Sequence, residues 1–118
     1  MVRRVLLQGK RLLKAGNGPS ALVRFEKALA LSHSEASRTR EKRALRGLAA
    51  AHRLNQNYKK AIEYLERVIQ ISDETGDHLG DTDALGVIAD CYTELDDFEL
   101  AAQFYDKYLA AMDREGPV

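Results

Sequence analysis

The sequence predicts an all-α chain built from three stacked helix-turn-helix hairpins with a 40-residue period, and two observations predict it. The chain matches itself at a shift of forty, and within each copy apolar residues recur at helical spacing on both sides of a turn signal. Gly9, Ala49 and Ala89 fall in register, as do Ala21, Ala61 and Ala101, then Phe25, Leu65 and Tyr105. The acid-base pairs Glu26-Lys27, Glu66-Arg67 and Asp106-Lys107 share that register. A ladder of small, aromatic and charged positions at a fixed period marks stacked supersecondary units rather than one globular core. Residues 1–118 therefore read as a single domain, with units at about 2–35, 42–75 and 82–115.

In the first unit, Val5, Leu6, Leu7, Leu12 and Leu13 alternate with Arg3, Arg4, Lys10 and Arg11 in a helical pattern. Gly16, Asn17, Gly18 and Pro19 form its turn, and Ser20 follows near the start of the second helix. In the second unit Ala44, Leu45, Leu48, Ala49, Ala51 and Leu54 supply one helix, and Asn55, Gln56 and Asn57 break it. Ala61, Ile62, Leu65, Val68 and Ile69 then recur at i, i+1, i+4, i+7 and i+8. The third unit repeats the plan with Leu85, Ile88, Ala89 and Tyr92, a turn at Asp96 and Asp97 that caps the next helix, then Phe98, Ala101, Ala102, Tyr105, Tyr108 and Leu109. Small residues are needed where helix axes cross closely, because a larger side chain would push them beyond about 8–10 Å. Gly9, Ala49, Ala89 and their counterparts at 21, 61 and 101 are the expected contact points, with Phe25, Leu65 and Tyr105 filling the space between hairpins.

Composition narrows the function. With 45% apolar and 31% charged residues the chain is an ordinary water-facing fold. No run approaches the roughly 18 apolar residues of a membrane-spanning helix. Cys91 is the single cysteine, so an internal disulfide is excluded, and its neighbours supply no activating base; it reads as buried filler. His33, His52 and His78 lack ligand spacing, and no metal or other cofactor is expected. Net charge is zero, but residues 1–59 carry 14 Lys and Arg against 3 Asp and Glu, whereas residues 60–118 carry 4 against 15. Such asymmetry gives a field with direction, able to orient a charged partner.

These positions resemble the tetratricopeptide repeat, whose pattern sets a large residue, Leu-Gly or Leu-Ala and an aromatic on the first helix, then Ala, an aromatic and Ala on the second. Leu45, Leu48, Ala49, Tyr58, Ala61 and Leu65 match it, as do Leu85, Ile88, Ala89, Tyr92, Phe98, Ala101 and Tyr105. The first unit departs from it at Gln8 and Gly18. The resemblance implies a short right-handed solenoid. The usual period is about 34, so six extra residues lengthen helices or connections around 34–41 and 74–81. Longer repeats with a Gly-Asp step, such as Gly76-Asp77 or Gly80-Asp81, resemble those of cell-polarity adaptors.

The runs KRALRGLAAA (Lys42 to Ala51), IADCYTELDD (Ile88 to Asp97) and FYDKYLA (Phe104 to Ala110) exceed what the repeat demands. They resemble the C-terminal repeat domain of the FLU (fluorescent in blue light) family of plant and algal regulators. That resemblance implies a negative regulator of tetrapyrrole and chlorophyll synthesis that binds glutamyl-tRNA reductase, with the reductase's C-terminal domain as the expected contact. It also implies a chloroplast location. Family members carry a membrane-anchoring segment and a coiled coil ahead of the repeats, so this chain is expected to be an excised domain. Thylakoid membrane association then runs through segments outside it, with no direct membrane contact by these residues.

In the repeat, first helices line the concave side, and transferring the register gives the expected partner-binding groove. Its first helix contributes Arg3, Leu6, Leu7, Lys10, Leu13 and Lys14; its second Arg43, Arg46, Gly47, Ala50, Arg53 and Leu54; its third Asp83, Gly86, Val87, Asp90, Thr93 and Glu94. Leu6, Leu13 and Val87 are equally readable as core. The groove is basic with apolar patches over two thirds and acidic over the rest, which suits an amphipathic helix or extended segment of opposite polarity. A carboxylate clamp of the kind that captures chaperone tails fails here, because the equivalent positions are Leu6, Lys10, Gly47, Asp83 and Val87 and only Lys10 fits. Leu100, Phe104, Tyr108 and Met112 on the last helix are a candidate self-association face for a homodimer, intramolecular packing being the alternative.

Three function classes then stand in order. A regulatory binding module for glutamyl-tRNA reductase leads, and a general scaffold of the polarity-adaptor type for another amphipathic helical peptide follows. An enzyme has no Gly-rich phosphate loop and no paired His and nucleophile behind it. Nucleic-acid binding is not expected, because the basic half has no interleaved aromatics before Tyr58 apart from Phe25 and the acidic half repels phosphate.

Overall fold

Four of the six helices begin two residues after a backbone turn into the left-handed region, and such turns recur at positions 16, 36, 56, 76 and 96. A computed structural model describes residues 1–115, in which six helices follow one another: α1 (Val2–Lys14), α2 (Gly18–Ser34), α3 (Arg38–Leu54), α4 (Tyr58–Thr75), α5 (Asp81–Glu94) and α6 (Phe98–Glu115). Positions 116–118 of the expected domain lie outside the described residues. The turn residues have φ of +75° at Gly16, +52° at Ala36, +63° at Gln56, +75° at Gly76 and +60° at Asp96. Four of them close identically: the amides of Asn17, Ser37, Asn57 and Asp97 donate back to the carbonyls of Leu12, Ser32, His52 and Tyr92 at 2.7–3.0 Å. This six-to-one bond satisfies a carbonyl that the helix end would otherwise orphan. The same four residues then cap the following helix, their side chains accepting from the amides of Ser20, Arg40, Lys60 and Leu100. The 40-residue period is thus two 20-residue steps.

The six residues beyond the usual period are placed by this geometry. At 35–37 the connection is as short as the turns inside hairpins, so the extra length goes into the 17-residue helices α2 and α3. At 76–80 the connection itself is longer. Gly76 ends α4 and Gly80, with φ of +90°, precedes α5. Lys42 fastens this loop: its buried ammonium donates to the carbonyls of Asp77 (2.8 Å) and Leu79 (3.3 Å). Asp81 fastens the other side, accepting from Ser72 at 2.6 Å and lying 2.9 Å from His78 Nδ1.

Two clusters form the core. One joins the first two units through Val2, Val5, Leu6, Ala21, Phe25, Ala28, Leu45 and Leu48; the other joins the last two through Ala49, Ala61, Ile62, Leu65, Ala84, Ile88 and Cys91. Each fully buried large side chain contributes about 2 kcal/mol. All six expected small contact residues, from Gly9 to Ala101, are buried. Cys91 sits inside the second cluster, and burial pushes its thiol pKa up. A buried carboxylate, Glu41, ties adjacent units on the other side of the stack. It lies 2.9 Å from His33 Nε2, 3.5 Å from Arg38 and 3.8 Å from Arg67, so the charge is compensated from three directions.

Phe25 and Tyr105 occupy the same register position with opposite outcomes. Phe25 is buried with its ring against Gly9 of α1 and Gly47 of α3, where any Cβ would collide with it. Tyr105, expected to fill space between hairpins, is instead exposed, because no further unit packs on α6 among the described residues. Among the described residues no helix is long and apolar enough to cross a membrane.

The wedge at Phe25 predicts a specific coupling. Gly47→Ala lowers stability by about 1–2 kcal/mol through overpacking, despite alanine's better helix propensity. The same change made in a Phe25→Leu background costs much less, since the shorter side chain leaves room. Urea unfolding midpoints of the four proteins measure this difference.

Candidate functional site

The concave face is laid by α1, α3 and α5, and its width is set by what lies beneath. Gly9 and Gly47 allow α1 and α3 to approach each other directly over the Phe25 ring. At the next junction the positions of Phe25 and Gly47 are taken by Leu65 and Val87, and α3 and α5 make at most marginal contact. A cleft of ≈ 640 Å³ opens there, lined by Ala49, Ala50, Arg53, Leu65, Val87 and Glu94 among others. A second cleft of ≈ 580 Å³ between α1 and α3 is lined by Arg3, Leu6, Leu7, Lys10, Arg43 and Gly47. Leu13, Arg46, Ala50 and Asp83 line both, so the two form one groove.

Of the residues expected in the groove, Arg3, Leu6, Lys10, Leu13, Arg43, Arg46, Ala50, Arg53, Asp83, Val87 and Glu94 line one cleft or the other. Lys14 is exposed at the end of α1 and lines neither. Asp90 stands at the margin, where it accepts from Arg53 at 3.4 Å and from the Tyr105 hydroxyl at 2.5 Å. That second bond raises the pKa of the Tyr105 phenol, since the carboxylate holds its proton. Leu6, read equally as groove or core, is both: a buried member of the first cluster whose edge floors the groove. Leu13 and Val87 are half-buried and likewise shared. Sequence reasoning missed Gln56, Tyr58 and Ala84 as lining residues and gave Phe25, Ala49 and Leu65, which also line the clefts, to helix packing alone; Gln56 and Tyr58 belong to the hairpin turn and the start of α4, which the register assigns to no groove position.

Electrostatically the groove is open for business at one end only in part. Among the described residues Arg3, Lys10 and Arg43 form no ion pair and are exposed, as is Asp83 at the acidic end. Arg46 is different: its half-buried guanidinium packs over Gly80, filling the space that a side chain there would take. Arg53 is engaged with Asp90, but both side chains are substantially exposed, and such a pair exchanges readily for a partner's charge.

The four residues of the candidate self-association face do not share one environment. Phe104 packs into the second core cluster beside Tyr92, with ring centroids 5.5 Å apart, and Lys107 covers its other side at 4.5 Å. The Tyr108 ring lies against Gly86 of α5, and Leu100 is half-buried. Only Met112 of the four is exposed. Successive steps of four residues drift ~40° around a helix, so a 100-104-108-112 row winds from the inner side to the outer.

The tetratricopeptide repeat family model matches residues 40–114, from the start of α3 to the last turn of α6. The chain belongs to this family. Over 110 residues it is 41% identical to the Arabidopsis thaliana protein named FLUORESCENT IN BLUE LIGHT, chloroplastic; the match takes in 93% of this chain and 35% of that protein. The chain thus spans about a third of that relative's length. Its tetratricopeptide fold also matches the crystal structure of the TPR domain of Arabidopsis FLU, with a TM-score of 0.93 and 40% identity over 96% of this chain and 95% of that one.

Because the Arg53–Asp90 pair is exposed, Arg53→Met is expected to change folding stability by less than about 1 kcal/mol. Thermal unfolding checks this, and a larger loss would show that the pair is structural rather than available to a partner.

Proposed function

We propose that this tetratricopeptide domain is a non-catalytic binding module that restrains tetrapyrrole synthesis in the chloroplast by holding glutamyl-tRNA reductase in its concave groove. The observation that carries the reading is the extent of the likeness to FLU. It covers 93% of this chain at 41% identity, and the fold matches that of the FLU TPR domain with a TM-score of 0.93. The groove is consistent with a helical protein partner: apolar floor residues Leu6, Leu13 and Val87 lie between unpaired cations on α1 and α3 and carboxylates on α5. A partner helix that places acidic residues against Arg3, Lys10 and Arg43 and a basic residue near Asp83 completes those charges, while its apolar stripe covers the floor. Contact with the thylakoid membrane in this reading belongs to segments outside these residues.

Calorimetry of the chain with the C-terminal domain of glutamyl-tRNA reductase tests it. Saturable binding is expected, weakened at least about tenfold by Arg43→Glu or Arg53→Glu. Arg46 is the poorer choice because it also packs over Gly80. Affinity is expected to fall with added salt, since exposed charges more than about 10 Å apart are screened at 0.1 M. Absence of binding, or binding indifferent to both charge reversals, overturns the proposal.

A further inference from the structure

The exposed apolar residues of α6 are not scattered. Phe98, Tyr105, Leu109 and Met112 are 63%, 37%, 56% and 45% exposed, and with exposed Ala102 they follow one another at steps of four, three, four and three. That spacing keeps them on a single helical seam, the pattern by which one helix receives another. Shifted back by forty residues, Ala102, Tyr105 and Leu109 become Ile62, Leu65 and Ile69 of α4, which pack against the unit that follows. Shifted back by eighty they become Leu22, Phe25 and Leu29 of α2, which do the same. The α6 seam is therefore the repeat's own docking face, presented to solvent.

Charge says what fits it. One residue beyond the seam positions run Glu99, Asp106 and Asp113, seven apart and all exposed. A two-fold pairing of α6 with α6 would set this acidic row against its own copy, which is repulsive. The helix that ordinarily sits on such a seam is the first helix of a unit; α5 is acidic and α3, although basic, is already packed on α2, whereas α1 is basic on the face it would offer. Where α3 places Ala44, Leu48 and Ala51 toward the preceding hairpin, α1 has Arg4, Gln8 and Arg11. Arg4 and Arg11 are exposed and seven apart, matching the spacing of the acids, and Leu7 between them is exposed as well. The α1 helix has five basic residues and no acidic one.

We propose that the chain stacks head to tail, the α6 seam of one copy receiving α1 of a second copy as though it were the next unit. Leu7 meets the apolar stripe, and Arg4 and Arg11 reach two successive members of the acidic row. Such a contact joins two different surfaces, so it does not close at two copies and extends with concentration. Leu7 is shared with the edge of the groove, but Arg4, Arg11 and the α6 seam line neither cleft, so the inference goes beyond the reductase reading and does not rest on it.

Sedimentation velocity on the 118-residue chain tests this with two variants at exposed positions: Arg4→Glu with Arg11→Glu at one end, and Leu109→Glu at the other. The wild type is expected to rise in mass past two copies of 13.2 kDa as concentration increases. It should fall back toward the monomer when salt goes from about 0.05 M to about 0.5 M. Each variant alone is expected to be monomeric, and their equimolar mixture to form dimers and nothing larger, because each supplies the end the other lacks. That mixture also shows that both variants are folded. A wild type that stays monomeric at every concentration, association that stops at a dimer, or an α1 variant that associates as the wild type does would each overturn the proposal.

Discussion

The contact of the Phe25 ring with Gly9 and Gly47 governs the shape of everything on the concave side. It brings α1 and α3 together while burying the largest side chain of the first core cluster. The forty-residue repeat places Leu65 and Val87 at the corresponding positions one unit later, and there α3 and α5 stand apart. The groove is consequently narrow where it is basic and open where basic meets acidic. A single pair of register positions thus converts a uniform stack into a surface with a floor, a width and a direction.

Energetics divides the charges of this molecule into two kinds. Glu41 and Lys42 are buried and fully engaged, one between the His33 ring and the guanidinium groups of Arg38 and Arg67 and the other on two loop carbonyls, and their loss would strand a polar partner in the interior. The groove charges are exposed, and the pair between Arg53 and Asp90 is worth little in water. The buried charges that hold the fold are therefore distinct from the exposed charges of the groove. The chain carries eleven excess positive charges in residues 1–59 and as many negative charges beyond them, and the exposed members of both sets are free of the buried contacts that Glu41 and Lys42 make.

Much of this was readable because it rests on local chemistry. The ladder of glycine and alanine positions follows from close helix crossings, and the caps at Asn57 and Asp97 announce themselves by side chain. The junction at Ala36 does not: alanine in the left-handed region leaves no mark in a sequence, so a short turn there looked like room for a longer connection. Lys42 looked like one more surface charge, since only the return of the 76–80 loop gives its ammonium two carbonyls. Arg46 was legible as a groove cation but not as the side chain that covers Gly80. On α6 the exposed stripe was misread by a rotation about the helix axis, because a row spaced by four was taken where the seam alternates four and three. The concave positions on α1, α3 and α5 that line the clefts were legible because the register alone assigns them, whereas Lys14, Gly86, Asp90 and Thr93 carry the same register and line neither cleft.

The central claim is that the concave face of α1, α3 and α5 is the working surface and that its charge polarity selects the partner. Hydrogen exchange of the chain alone and with glutamyl-tRNA reductase maps the contact directly. Protection confined to residues 3–14, 43–54 and 83–94, with α2 and α4 unchanged, is the predicted result. Protection centred on α2 and α4, with the three concave helices exchanging as in the free chain, would contradict it.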